Sequence, residues 1–376
     1  MTRDSKSEIR VRAAVNETIA AYNRHELDSA REQTIRIWNE HYGGSPLLPS
    51  DFDVVTTLWG MMQRLAPDCP EAAAAQEAIK GLKRQLRKDQ PLNAVYDLGR
   101  WPPQFDLFTF LVQAKTLAVA QDRPLNVVFQ PAEDGGYVKM GKYSHDEANY
   151  RMYHICLPAT ILYGASPMVL PDRNAPLPEG DYLPTMGATH DGVIRVHRET
   201  GRLEKLRASK RGLELVGEFT ERFDRPIVTI TLRNTFRYEN RNSDLTIWRE
   251  VADKLMPDFQ TVFVPDTADA FKDLDFGHAV FNIGAVDLDS RLALYERAAL
   301  NIFNHNGPAV LCQYGVSAFL NFGLRDEKYM TAAEWASIGM PIDTQPPYLL
   351  DNQKLVWDPP TPERVIDEVR EMMERI

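Results

Sequence analysis

Arg233, Arg237 and Arg241 stand four residues apart, and Asn242 and Ser243 follow at once. They come directly after Pro226-Ile227-Val228-Thr229-Ile230-Thr231-Leu232, an apolar run rich in β-branched residues. Such a run reads as a buried β-strand, here one that ends in arginine. Asn242 or Ser243 can cap the next helix, which runs on through Leu245, Trp248 and Val251. In an open α/β sheet, ligands sit outside the carboxyl ends of the strands. A guanidinium there can grip a phosphate bidentately, and a helix start offers free backbone N–H groups to the same anion. The pattern points to a phosphorylated ligand with Arg233 at its centre and Arg237, Arg241, Asn242 and Ser243 beside it. Arg237 and Arg241 can equally serve to offset Glu239 and Glu250.

Further stretches carry candidate chemistry. Val264-Pro265-Asp266-Thr267 places Asp266 and Thr267 after a second strand, where they can accept from a ribose or base, or cap a helix at Ala268–Phe271. Asn304-His305-Asn306-Gly307-Pro308 is either a plain strand-to-helix turn or a site where Asn306, Gly307 and Pro308 open a helix toward a diphosphate. Glycine allows close backbone approach, and proline suits a first helical turn. Asp134-Gly135-Gly136 and Thr189-His190-Asp191 can face a cleft, and Asp134, His190 and Asp191 are each able to take a proton from a hydroxyl. Asp-Gly is also ordinary turn chemistry. Two Asp-Leu-Asp triplets, Asp273/Asp275 and Asp287/Asp289, have a spacing that can hold a divalent metal, but the second reads better as a helix cap before Leu292. No metal site is expected. Zinc-protease, Walker-type, nucleophile-elbow and dinucleotide-fingerprint motifs are absent, and the missing Gly-x-Gly-x-x-Gly argues against a dehydrogenase.

The elements that must position these residues fall into three segments. Residues 1–90 read as a helical N-terminal extension. Ile9, Val11, Val15, Ile19 and Tyr22 recur near helical spacing; further helices are expected over about 28–40, over 50–64 (capped by Ser50 or Asp51) and after Pro70. Residues 91–198 read as an α/β domain. It has strands at 94–98, 126–130 and His154–Pro158, a fourth near Val169-Leu170, an amphipathic helix over 105–120 and another over 146–152. An irregular proline-rich connection over 167–184 leads to an inter-domain segment reaching Val196. Residues 199–376 read as a second α/β domain. Helix 205–223 leads to strand 227–232, helix 244–256, strands 261–264 and 279–282, helix 290–298, strand 300–304 and a last helix over 362–374. Strands alternating with helical patterns argue for parallel sheets, hence an α/β fold of two halves with a cleft between them.

Length and composition fit that plan. The chain has 376 residues, 44% apolar and 26% charged, which is ordinary for a globular protein. A net charge of -10 shows no basic domain, so no nucleic-acid partner is expected. The basic run Lys80–Lys88 is either a solvated helix face or a contact for anionic lipid or an acidic partner, which makes the N-terminal helices a possible peripheral-membrane or protein-docking element. Three widely spaced cysteines, no apolar leader and no run of about 18 apolar residues lead us to expect a cytoplasmic protein.

Over about residues 93–376 the chain resembles bacterial glycosyltransferases with two facing Rossmann-like halves, the GT-B type. Thr229–Arg233 with Arg241-Asn242-Ser243 is similar to the strand-arginine element of fucosyltransferase-like enzymes, and Val262–Thr267 resembles the strand-Asp element that follows it there. Asn306-Gly307-Pro308 is similar to the Asp-Ser-Gly-Pro turn of heptosyltransferase-like enzymes, with Asn306 in place of Asp. The resemblance implies a nucleotide-diphosphate sugar held by the C-terminal half, a hexosyl or deoxyhexosyl group passed to a glycan or protein acceptor, and a place in polysaccharide biosynthesis. It also implies Arg233 neutralising the leaving diphosphate with no obligatory metal or other cofactor. A nucleotide-sugar epimerase of the same architecture and a non-catalytic scaffold that keeps the fold are the alternatives.

Overall fold

A computed structural model of the chain describes residues 5–45, 47–133, 136, 143–235, 239–325 and 330–375. It divides into two compact units, Met1–Pro91 and Leu92–Ile376.

The first unit holds helices Ser5–Asn23, Leu27–His41, Phe52–Leu65 and Pro70–Lys88. Val11, Val15, Ile37, Trp38, Val55, Leu58, Met62, Ala75 and Ile79 form its own core. Their three- and four-residue spacing is what puts them on inward faces. Ile9, expected in the apolar stripe of the first helix, is exposed. Asp51 stands just before the third helix but its carboxylate accepts from the Leu48 amide (2.8 Å) instead of capping. Within the basic run, the Arg84 and Arg87 side chains lie outside the described ones.

The second unit holds two parallel sheets. Strands β1 (Leu92–Asp97), β2 (Leu125–Gln130) and β3 (Ser166–Val169) form the first, in the order β1-β2-β3. The second is built from β4 (Ile227–Thr231), β5 (Gln260–Val264), β6 (Ala279–Val280), β7 (Leu300–Asn304), β8 (Phe319–Phe322) and β9 (Gln353–Val356). Its order is β6-β5-β4-β7-β8-β9, parallel throughout. That is the doubly wound 3-2-1-4-5-6 arrangement, and its order reverses between β4 and β7. Strand β4 is buried along its whole length, as a central parallel strand covered on both faces must be.

One face of this sheet is covered by helix Leu245–Leu255, through Trp248, Val251, Ala252 and Leu255, and by helix Pro362–Met373, through Val365, Val369 and Met372. The other face meets a cluster that runs without a break into the first sheet, joining Leu92, Tyr96 and Phe110 to Leu292, Tyr295 and Tyr314. The two sheets thus share one hydrophobic core inside a single compact unit. Helix His190–Thr200 passes through position 198, where the sequence pattern suggests a domain division.

Several local expectations are corrected. His154–Pro158 is not a strand: Met152–Cys156 is a π-helical turn that leads into helix Leu157–Leu162. Met152, Ile155, Cys156 and Ala159 are buried at helical spacing, and Pro158 follows the π-helical turn directly. The third strand is Ser166–Val169. Helix Leu107–Ala120 is buried nearly all round rather than amphipathic, with Gln113 and Thr116 donating to carbonyls of their own helix and Thr109 meeting the Tyr314 hydroxyl. The segment reaching Val196 becomes helical at His190, and the helix expected over 205–223 is confined to Lys210–Thr220. Strand β6 stops at Val280, and the chain turns into the 3-10 helix Asn282–Ala285. Among the described residues no helix is long and apolar enough to cross a membrane.

Candidate functional site

Register decides which side chains meet. Thr231 of β4 lies opposite Val264 of β5 on one side and Phe303 of β7 on the other. Arg233, Asp266 and His305, each two residues further on, therefore emerge together at the carboxyl edge of the second sheet, where the strand order reverses. This is the place where open α/β sheets hold their ligands.

Arg233 is fixed by its own loop. Its amide donates to the Ser243 hydroxyl (2.9 Å), and the Ser243 amide donates back to the Arg233 carbonyl (2.9 Å). One residue outward, Asn242 accepts from the Thr235 amide (3.0 Å) and donates to the Thr235 carbonyl (2.9 Å). Asn242 and Ser243 thus close the neck of the loop and do not cap the following helix. Asp244 does that, accepting from the Thr246 amide at 2.9 Å. Arg241, in the 3-10 turn Glu239–Arg241, donates from Nη2 to the His305 carbonyl (2.6 Å), while its own carbonyl accepts from Asn304 (3.3 Å). The other expected partner, Glu250, is taken by Lys254 at 2.8 Å. Arg237 lies outside the described residues, as does Asp134.

The imidazole of His305 is pushed well below its usual pKa. Burial is the main cause, followed by the guanidinium charges of Arg241 and Arg233. Two arginines and a neutral histidine therefore converge on the edge between β4 and β7. Asn306 completes it from the buried side, donating to the Thr231 carbonyl at 3.1 Å, with its Oδ1 buried and without a hydrogen-bond partner.

Asp266 is committed locally. One oxygen accepts from the Ala268 amide (3.4 Å), capping the turn Thr267–Asp269, and the other from the Asn234 amide (3.1 Å), which ties the β5 loop to the β4 loop. Thr267 donates to the Ala285 carbonyl (2.9 Å). Of the Asp-Leu-Asp pairs, Asp287 caps helix Leu288–Arg297 through the Ser290 amide (2.7 Å), Asp289 accepts from the Ser209 amide (2.8 Å), and Asp275 accepts from the Gly277 amide (3.2 Å).

The turn at Gly307 differs from the expected open helix start. Helix Ala309–Gln313 has five residues, and the amides of Ala309, Val310 and Leu311 donate to the carbonyls of Asn306, Gly307 and Pro308. Above Gly307 lies the Phe105 ring from the first half: a Cβ added there would stand 2.7 Å from a ring carbon. The close approach that glycine permits is thus made by Phe105. Gly307→Ala is expected to lower stability by about 2 kcal/mol, because the added methyl meets the Phe105 Cβ at 3.1 Å as well as the ring edge, and the ring cannot relieve that by rotating. Denaturant unfolding of the variant checks this.

His190 sits in the seam between the sheets. Its Nδ1 lies 3.3 Å from the Tyr314 hydroxyl and 3.4 Å from that of Tyr348. Tyr314 also meets Thr109 (3.3 Å), and Gln313 donates to Tyr348 (2.8 Å). Burial pushes the His190 pKa down to about 4, against a smaller pull upward from Asp191. Asp191 itself is exposed in the first turn of helix His190–Thr200. Nothing in the sequence singles out Phe105, and His305 reads there as an ordinary turn residue. The one local signal for His305 is its place directly after a buried strand.

No protein-family model matches the chain, and no curated protein matches it in sequence. Among solved structures it is similar to E. coli ADP-heptose LPS heptosyltransferase II, with a TM-score of 0.43 and 12% identity over 76% of this chain and 99% of that one. It is also similar to a glycosyl transferase family 9 protein from Veillonella parvula, with a TM-score of 0.47 and 9% identity over 76% and 98% of the two chains. A third is E. coli heptosyltransferase WaaC with ADP, with a TM-score of 0.39 and 11% identity over 75% and 100%. At these values the likenesses carry no argument about activity, which has to come from the site.

Proposed function

We propose that the protein transfers a hexosyl or deoxyhexosyl group from a nucleotide-diphosphate donor to a glycan or protein acceptor, with no obligatory metal ion. The observation that carries this reading is the meeting of Arg233, Arg241 and His305 at the point where the order of the second sheet reverses. Glycosyl transfer is limited by negative charge building up on the departing diphosphate. Fixed donors aimed at that charge supply much of the acceleration, because they need no reorganisation as it forms. Arg233, gripped front and back by Ser243, is such a donor. Arg241, anchored on the His305 carbonyl, is a second. Of the acidic pairs whose spacing could hold a metal, Asp287 caps a helix, Asp275 a turn, and Asp289 accepts from the Ser209 amide. Asp266 and Thr267 would line the donor side, and Arg237 would bind the donor with them. For the acceptor proton we assign the exposed Asp191, with Asp134 as the other carboxylate of the first half. His190, neutral and engaged with two tyrosines, holds the seam between the sheets.

The test is to incubate the protein with a panel of nucleotide-diphosphate hexoses and deoxyhexoses, in EDTA, with glycan and peptide acceptors, and to follow the nucleoside diphosphate released. Release that requires an acceptor and survives EDTA is the expected result; release to water or epimerisation alone contradicts it. Ser243→Ala should weaken donor binding about fivefold, since it removes one neutral hydrogen bond, worth about 1 kcal/mol, that sets the Arg233 backbone. Titration calorimetry reads this directly.

A second reading, a non-catalytic scaffold that keeps the fold, is favoured by Phe105 lying over Gly307, where a diphosphate could otherwise approach the backbone. No binding of any nucleoside diphosphate by the folded protein would select it.

A further inference from the structure

We propose that His305 is the third member of the anion cradle: its imidazole takes up a proton as a diphosphate settles beside Arg233 and Arg241, so the ligand meets a third cation only once bound. This rests on the phosphate-binding reading of the same edge.

His305 is not glycine, yet its backbone holds φ +35°, a left-handed conformation that costs energy and persists only when the surroundings enforce it. They do so from two sides. Its amide donates to Asn321 Oδ1 of β8 (2.9 Å), and its carbonyl is gripped by Arg241 (2.6 Å). The ring lies near Trp335, 5.7 Å between centroids. The backbone is thus set at the ligand edge, one residue past β7, and the ring packs near Trp335 with its Nδ1 buried.

The charges follow. Burial disfavours the imidazolium, and so do Arg241 from its 3-10 turn, Arg233 from the end of β4 and, more weakly, His190 from the seam; a backbone hydrogen bond to Gly323 after β8 favours it. In the empty protein the balance leaves the ring neutral. A diphosphate neutralises both guanidiniums and adds negative charge of its own, so the two largest electrostatic objections to the imidazolium are removed by the ligand itself. Linkage then requires the reciprocal effect: the anion binds more tightly as the pH falls.

The experiment uses the full chain and dimethyl diphosphate, a diester with no titrating proton near neutral pH, so any proton taken up comes from solvent to protein. Calorimetry near pH 7 in two buffers of different ionisation enthalpy counts that proton without any variant. Affinity is then followed between about pH 6 and pH 8. The expected result is net proton uptake and binding about tenfold tighter at the lower pH, both lost in His305→Asn, a residue that tolerates the left-handed backbone. Binding without proton uptake overturns the role of His305 and leaves the arginine site standing. Uptake that persists in His305→Asn places the proton elsewhere and also overturns it. No binding by the wild-type protein removes the arginine site, and this inference with it.

Discussion

Replacing Arg233 with alanine is expected to lower the rate of glycosyl transfer about a hundredfold, a loss of about 3 kcal/mol of transition-state stabilisation. The size follows from the kind of interaction. Arg233 emerges from a strand buried on both faces, and its backbone is hydrogen-bonded on both sides to Ser243, so its position is fixed before the ligand arrives. A charged donor fixed in this way acts mainly as charge develops on the diphosphate, so the loss should fall on kcat/KM with a smaller change in ground-state affinity. The fold should survive, because the loop is closed by bonds to the Arg233 backbone, which the substitution keeps. Steady-state kinetics beside a thermal unfolding curve separates the two effects. Arg233→Lys should recover only part of the rate, since an ammonium cannot bond bidentately.

Stability should fall steeply on mild acidification, and His190 is the main reason. Its pKa is about 4 in the folded protein and about 6.5 in the unfolded chain. Between those values the unfolded chain binds more protons, so stability rises with pH across the window and is lost as pH falls through it. Integrated over the whole shift the loss is about 3 kcal/mol, of which about 2 kcal/mol is reached by pH 5. His305, depressed in the same direction by burial and by Arg241 and Arg233, adds to the slope. The structural consequence is specific: a proton on His190 would charge the seam where Tyr314, Tyr348 and Thr109 join the two sheets. Urea unfolding at about pH 7.5 and pH 5 gives the slope. His190→Gln, which cannot take the proton, should flatten it. A wild-type midpoint that does not move between those pH values contradicts this account of the seam.

Much of this site is legible in the amino-acid sequence. The run Ile227–Leu232 is unbroken, β-branched and bounded by Pro226 and Arg233, and it forms the central strand. The expected strands after it emerge at the same edge because parallel register carries each chain the same distance. What is not legible has physical causes. Three consecutive residues, Asn242, Ser243 and Asp244, can all cap a helix; the choice of Asp244 depends on Thr235 and Arg233 engaging the other two. The apolar residues of Met152–Cys156 fit a buried strand as well as a helix, and the preceding helix decides between them. Strands β8 and β9 have four residues each, too few to show a period. Phe105 and Gly307 are distant in sequence, and nothing near either announces the other. The weight of His305 comes from Arg233, Arg241 and Asn321, each on a different segment, so it shows only when the sheet is assembled.

The most direct test of the central claim is calorimetric titration of the protein with GDP, UDP, ADP, CMP and TDP in EDTA, repeated with Arg233→Ala. A nucleotide at a hundredfold excess over its dissociation constant should also raise apparent stability by about 2.7 kcal/mol, which a parallel unfolding curve detects. One nucleoside diphosphate binding without metal, and weakening sharply in Arg233→Ala, is the predicted result and names the donor class. No binding of any of them, or binding that Arg233→Ala leaves unchanged, would contradict a diphosphate site at the ends of β4 and β7.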